Sequence, residues 1–195
     1  FVRAPGFEWG ADLSYAQKLG LVLGLPAEFD PGTDYEYSNT NYLLLGAILD
    51  DLLGYPHQQY ISDALLAPLG LMDTFHFLSE AETERVVGGY HFEIEDNLRS
   101  LDTKAPGGSM VASAEDVGVF LRALGDGSLL GDSQAIYRSI YEVEHTGWVP
   151  GYQSSAGYHP DIDASVVVFV SSTGGETEIV TAVVYDRIVR ILSRR

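Results

Sequence analysis

The sequence predicts an α+β fold, an antiparallel sheet flanked by helices with a further helical subregion ahead of it. Helical periodicity fills the first two thirds, continuously apolar or alternating stretches crowd the last third, and an amphipathic segment closes the chain. At 195 residues one core is the default. We read 1–195 as a single domain, mainly helical to about residue 135, then strands and a closing helix from about 136.

Residues 12–20 place Leu13, Ala16 and Leu19 at helical spacing and stop at Gly20, which predicts a short helix. A turn through Pro31 and Gly32 follows. From Tyr42 to Leu53, Leu43, Leu44, Leu45, Ala47, Ile48, Leu49 and Leu52 cover every side of a helical wheel, and Gly54 stands past the end as a left-handed cap. Such a helix is expected to be central and buried. Ser38, Asn39 or Thr40 would cap its first turn, yet Tyr37 through Asn41 supply more polar groups than a cap needs.

Residues 57–70 predict a helix ended by Pro68 and Gly70, and 85–96 an irregular strand pair. Ser113 with Asp116 three residues on has a capping-box pattern before a helix near 114–124, ended by Gly125. Strands are expected within 139–147, 151–159 and 164–172, with turns at 148–151 and 160–163. Val166 to Val170 is apolar on both faces, the pattern of an interior strand, but the nearby sequence offers it a single obvious neighbour. A last helix over about 177–193 carries Glu176 and Glu178 at its start, Arg187, Arg190, Arg194 and Arg195 toward its end, and a stripe of Val180, Val184, Ile188 and Ile191.

Eleven basic against 28 acidic side chains give a net charge of −17, which disfavours nucleic acid and anionic membrane surfaces as partners. Without cysteine there is no disulfide frame, thiol nucleophile or cysteine-metal site. The phosphate loop, the H-E-x-x-H zinc pair and the G-x-S-x-G elbow are all absent from the sequence. His57, His76, His91, His145 and His159 lack ligand-like spacing, so neither a metal nor a cofactor is expected.

Two strings remain: Tyr37-Ser38-Asn39 before the apolar helix, and His145-Thr146-Gly147 followed by Trp148. Taken singly, Tyr37 is a packing aromatic, Asn39 a cap and Thr146-Gly147 a strand end. In this order, and with PGTDYEYSNTNYLLLGAIL, LLAPLGLMDTF and APGGSMVASAEDVGVFLRAL around them, they resemble the serine β-lactamase and penicillin-binding-protein superfamily, in its class C β-lactamase, D-alanyl carboxypeptidase and esterase branch. The resemblance runs from about Glu28 to the C-terminus.

It implies a β-lactamase/transpeptidase-like fold and an acyl-enzyme serine hydrolase: an esterase, a D-amino-acid peptidase or carboxypeptidase, or a β-lactamase. Tyr37 would accept the proton and Asn39 would offer an amide to the substrate. Thr146 and its backbone would bind the substrate's carboxylate or amide, Gly147 would allow close approach, and the Trp148 N–H would help hold the oxyanion. A phenol titrates near pH 10, so Tyr37 needs nearby positive charge to act as a base. His145 stands where β-lactamases usually have lysine, a change that points toward esterases and peptidases.

The family's serine lies in S-x-x-K, and no such string exists here: Tyr15 precedes Lys18 by three residues and Leu101 precedes Lys104. The expectation is therefore a fold incomplete at the N-terminus and inactive alone, which pairs with the missing N-terminal segment or self-associates. The alternative is a non-catalytic module that keeps the same pocket to bind a ligand.

Overall fold

A computed structural model describes residues 2–9, 11–94 and 97–194, and runs helix first, sheet last. Helix α1 (Tyr15–Gly20) begins with a reciprocal cap, Ser14 Oγ accepting the Gln17 N–H while the Gln17 side chain accepts the Ser14 N–H. Helix α2 (Asn39–Leu53) is capped by Ser38, whose Oγ accepts the Thr40 N–H, and ends at Gly54 with φ 74°.

The burial expected of α2 is not found. Leu43 and Gly46 are buried, but Leu44, Leu45, Ile48, Leu49 and Leu52 are exposed, Leu52 to 76%. The described residues cover one side of this helix: Leu43 packs with Ala105 beside Phe7, Tyr15 and Leu19.

Next come α3 (His57–Ile61), a π turn (Ser62–Leu66) and α4 (Ala67–Leu69), capped by Gly70 at φ 70°. Pro68 lies inside this run and does not end it. Ahead of it the Ala67 N–H reaches back five residues to Ser62 O, a widened turn that relieves the clash of a proline ring with the preceding carbonyls.

Strand β1 (Thr74–Phe75) pairs antiparallel with β3 (Val111–Ala112); β2 (Tyr90–His91) falls between them in sequence but belongs to another sheet. Among the described residues, the local strand pair expected over 85–96 is reduced to a single bridge. Tyr90 and His91 pair in parallel with Ser172 and Thr173, Ile94 bridges back to His91, and Glu95 and Asp96 lie outside the described residues.

Helix α5 (Ala114–Asp126) starts where Ser113 Oγ accepts the Asp116 N–H, but the Asp116 carboxylate does not complete a box. It accepts the Asp73 N–H and the Thr74 hydroxyl, tying β1 to the helix. Gly125 is buried within α5, under the Tyr158 ring, and the terminating residue is Gly127 at φ 88°.

Residues 139–140, expected in a strand, complete α6 (Gln134–Ile140). The sheet is a meander of β4 (Glu144–Val149), β5 (Tyr152–His159) and β6 (Ala164–Val170), followed by β7 (Ser172–Thr173) and α7 (Val180–Leu192). A 3-10 turn (Gly175–Ile179) occupies the ground on which α7 was expected to start. Leu121 and Leu124 of α5 pack on Val143, Ala156 and Val167 against one face; α7 packs Tyr185, Ile188, Val189 and Leu192 on Val166 and Val168 against the other. β6 is thus covered above and below, and among the described residues it pairs with β5 alone.

Of the predicted stripe on α7, Ile188 packs inward on β6, but Val180, Val184 and Ile191 are exposed and the buried residues are Thr181 and Tyr185. The hydroxyls decide this: Thr181 Oγ1 donates to Gln153 Oε1 at 3.0 Å, and Tyr185 Oη is 2.8 Å from His159 Nε2, so both are satisfied under the sheet.

Candidate functional site

Tyr37 lies just ahead of the Ser38 cap, 52% exposed, its ring 5.7 Å from that of Tyr42. Partial burial first, then the hydrogen bond to Tyr42 and the neighbouring phenols, raise its pKa above the ordinary 10.0. Tyr37 therefore stands as a neutral phenol at pH 7. Asn39 is the first residue of α2 and half-buried; the capping falls to Ser38, which leaves the Asn39 amide out of that duty.

Both lysines are held by other groups. Lys18 is 2% exposed, its Nζ donating to Thr103 O at 2.6 Å and Lys104 O at 3.0 Å, and burial lowers its pKa. Lys104 Nζ pairs with Asp12 at 3.1 Å.

His145, Thr146, Gly147 and Trp148 follow one another along β4, all exposed, on a strand that pairs with β5 alone among the described residues. His145 and Gly147 face the α5 side, opposite Ala156 and Ser154; Thr146 and Trp148 face the α7 side, opposite Ser155 and Gln153. Ser154 Oγ occupies the space a side chain at Gly147 would need, so glycine lets the two strands close up there.

A cavity of about 210 Å³ opens beside Tyr42, walled by Leu45, Leu49, Ile61, Pro106 and Met110 with His57 and His76 at its polar end. A more open hollow of about 430 Å³ lies over Tyr15, Gln58, Phe77 and Lys104. Neither takes Tyr37 or any of residues 145–148 into its lining, so within these cavities the two strings are not brought together. Among the described residues no group of His, Asp or Glu is arranged to hold a metal ion, and no helix is long and apolar enough to cross a membrane.

The model of the family described as Beta-lactamase matches residues 3–139, well over half of the chain and inclusive of Tyr37-Ser38-Asn39. The chain belongs to the Beta-lactamase family. Among solved structures it is similar to the D-amino acid amidase of Ochrobactrum anthropi SV3 complexed with L-phenylalanine: TM-score 0.76, 22% identity, 95% of this chain and 64% of that one. The penicillin binding protein of Bacillus halodurans gives a TM-score of 0.73 at 18% identity, over 89% of this chain and 63% of that one. These likenesses establish the Beta-lactamase-like fold. By sequence, 58 residues are 36% identical to an Escherichia coli (strain K12) protein named as a D-alanyl-D-alanine carboxypeptidase, a stretch that is 30% of this chain and 13% of that protein.

Sequence reasoning passed over Glu144 and Tyr185, and took His159 only as a histidine without ligand-like spacing; the three meet behind β4. The one local signal was Gly157, a glycine inside a strand and hence a mark of close approach.

Proposed function

We propose that this chain is the larger part of an acyl-enzyme serine hydrolase acting on an ester or a D-amino-acid amide or peptide, with a β-lactam as the less favoured substrate. The serine attacks the acyl carbon, its proton passes to Tyr37 and on to the leaving group, and water then releases the acyl group. Asn39 orients the substrate amide, Thr146 and the exposed edge of β4 bind its carboxylate or amide, Gly147 admits it closely, and the Trp148 N–H stabilises the oxyanion. His145, in place of the lysine usual in β-lactamases, favours esters and amides over β-lactams.

The observation that carries this reading is the family match across residues 3–139, with Tyr37-Ser38-Asn39 at the mouth of α2. The nucleophile and a cation able to draw Tyr37 toward the phenolate are proposed to come from a segment outside these 195 residues. Three features support that. No S-x-x-K occurs here, more than a third of each of the two solved structures named above has no counterpart in this chain, and among the described residues two surfaces lack partners: the apolar side of α2 and the outer edge of β6. On this reading the 195 residues alone are inactive, and they bind that segment or associate with one another.

A fluorescent acylating probe applied to the full-length protein tests the reading. Labelling that Tyr37→Phe cuts at least tenfold supports it, and labelling indifferent to Tyr37 rejects the assignment. A second reading, a ligand-binding module with no nucleophile, is favoured by the upward displacement of the Tyr37 pKa. An S-x-x-K in the sequence preceding Phe1 would set it aside.

A further inference from the structure

A polar cluster with one buried member joins the strand that carries His145-Thr146-Gly147 to the closing helix. Tyr185 of α7 is 4% exposed, and its Oη lies 2.8 Å from His159 Nε2 at the end of β5. The same hydroxyl sits over Gly157, where any side chain would collide with it. Glu144, the register partner of Gly157, stands alongside, its Cγ 3.2 Å from where a Gly157 Cβ would be. Burial first, then the charge and hydrogen bond of the Glu144 carboxylate, push Tyr185 up to about 12. The phenol therefore stays protonated; where His159 carries its proton on Nε2, the Tyr185 oxygen accepts from that ring and its O–H is left for the Glu144 carboxylate alongside.

Among the described residues β4 pairs with β5 alone. Its start is fixed on the α5 side by buried Val143, whose carbonyl accepts the Tyr158 N–H, but from Glu144 to Trp148 its own side chains are exposed, and Tyr185 with His159 meets it on the α7 side. Glu144 and Thr146 point to the same face two residues apart, so whatever fixes the first fixes the seat of the second.

We propose that Tyr185 is a positioning residue for the acyl site: its hydroxyl, held between Glu144 and His159 above Gly157, sets where β4 begins and hence where Thr146 and Gly147 present themselves to substrate. This rests on the reading that β4 lines that site. It adds a role in substrate binding for α7, which packs on the same face of the sheet as Thr146.

Tyr185→Phe keeps the ring and removes the hydroxyl. In the 195-residue chain, amide hydrogen exchange across 144–149 is expected to speed at least tenfold, with β6 exchange unchanged. In the full-length protein, the probe concentration for half-maximal labelling rate rises at least fivefold, while the limiting rate changes less than twofold. Glu144 is exposed, so Glu144→Ala gives a second variant that does not depend on core packing; it should match Tyr185→Phe, and Glu144→Gln, which keeps an oxygen acceptor, should restore wild-type values. The double variant Tyr185→Phe/Glu144→Ala should be no worse than either single one. Wild-type exchange across 144–149 in both single variants, or full additivity between them, overturns the proposal. Absence of labelling in the wild-type full-length protein instead overturns the acyl-site reading, and with it the role of this anchor in substrate binding.

Discussion

His57 Nδ1 lies 2.7 Å from Asp50 Oδ1, and the same oxygen accepts the His57 backbone N–H at 2.6 Å. One carboxylate thus locks the end of α2 to the first residue of α3. Partial desolvation pushes the Asp50 pKa up, but the backbone and ring hydrogen bonds from His57 outweigh it and hold the group below its ordinary 3.8. A folded pKa below the unfolded one stabilises the fold above the unfolded value, and that contribution is lost as pH falls through the folded value. Asp50→Ala strands a buried imidazole and is expected to cost about 1–3 kcal/mol at neutral pH. In urea titrations the gap to wild type should narrow below about pH 4, as the carboxyl protonates. A gap equal at pH 7 and in acid would contradict this.

Asp116 accepts from the Asp73 N–H at 2.8 Å and the Thr74 hydroxyl at 2.7 Å, and is itself buried. Asp116→Ala leaves two donors unsatisfied and is expected to lower unfolding free energy by about 2–3 kcal/mol. Since β1 hangs from that carboxylate, exchange of the amides at 73–75 should rise first. Loss of stability with no local exchange change would argue against the tie.

Two glycines of α5 should respond in opposite directions. A methyl at Gly125 would enter the Tyr158 ring, so Gly125→Ala is expected to destabilise by about 1–3 kcal/mol. At Gly118 the nearest atom to such a methyl is Ser165 Cβ at 3.8 Å, ordinary contact, so Gly118→Ala should stabilise by about 0.5–1 kcal/mol through helix propensity. Denaturation midpoints on the two variants check the sign.

What was legible in the sequence was local chemistry. Ser38 and Ser113 cap helices, and Gly54 and Gly70 end them, because each acts within a few residues of itself; the Ser14 cap acts equally locally but was not read. The pairing of β2 with β7 was not legible, since partners some eighty residues apart leave no periodic trace. Nor was the inward face of α7: hydropathy sends Thr181 and Tyr185 outward, and only their partners Gln153 and His159 bring them in. The apolar wheel of α2 showed a need for cover without saying that these residues supply it on one side alone. Of the candidate site, the sequence marked both strings, whereas the anchor behind β4 depends on two residues of the meander and one of the closing helix.

The uncovered side of α2 should govern association of the isolated chain. Ile48 and Leu52 are 53% and 76% exposed, and replacing both with lysine removes apolar surface while offsetting part of the −17 charge. Sedimentation should show wild type associating and Ile48→Lys/Leu52→Lys shifted toward monomer with little change in unfolding midpoint. A wild-type chain that stays monodisperse and monomeric would remove the support for a missing partner.

The central claim is that Tyr37 and Thr146 serve one acyl-transfer site. The most direct measurement is the acylation rate of the full-length protein by a fluorescent ester or amide probe, compared with Tyr37→Phe and Thr146→Val. We expect Tyr37→Phe to slow the limiting rate by about a hundredfold or more, as loss of a general base does, and Thr146→Val to raise the half-saturating probe concentration. Wild-type acylation kinetics in both variants would contradict the claim.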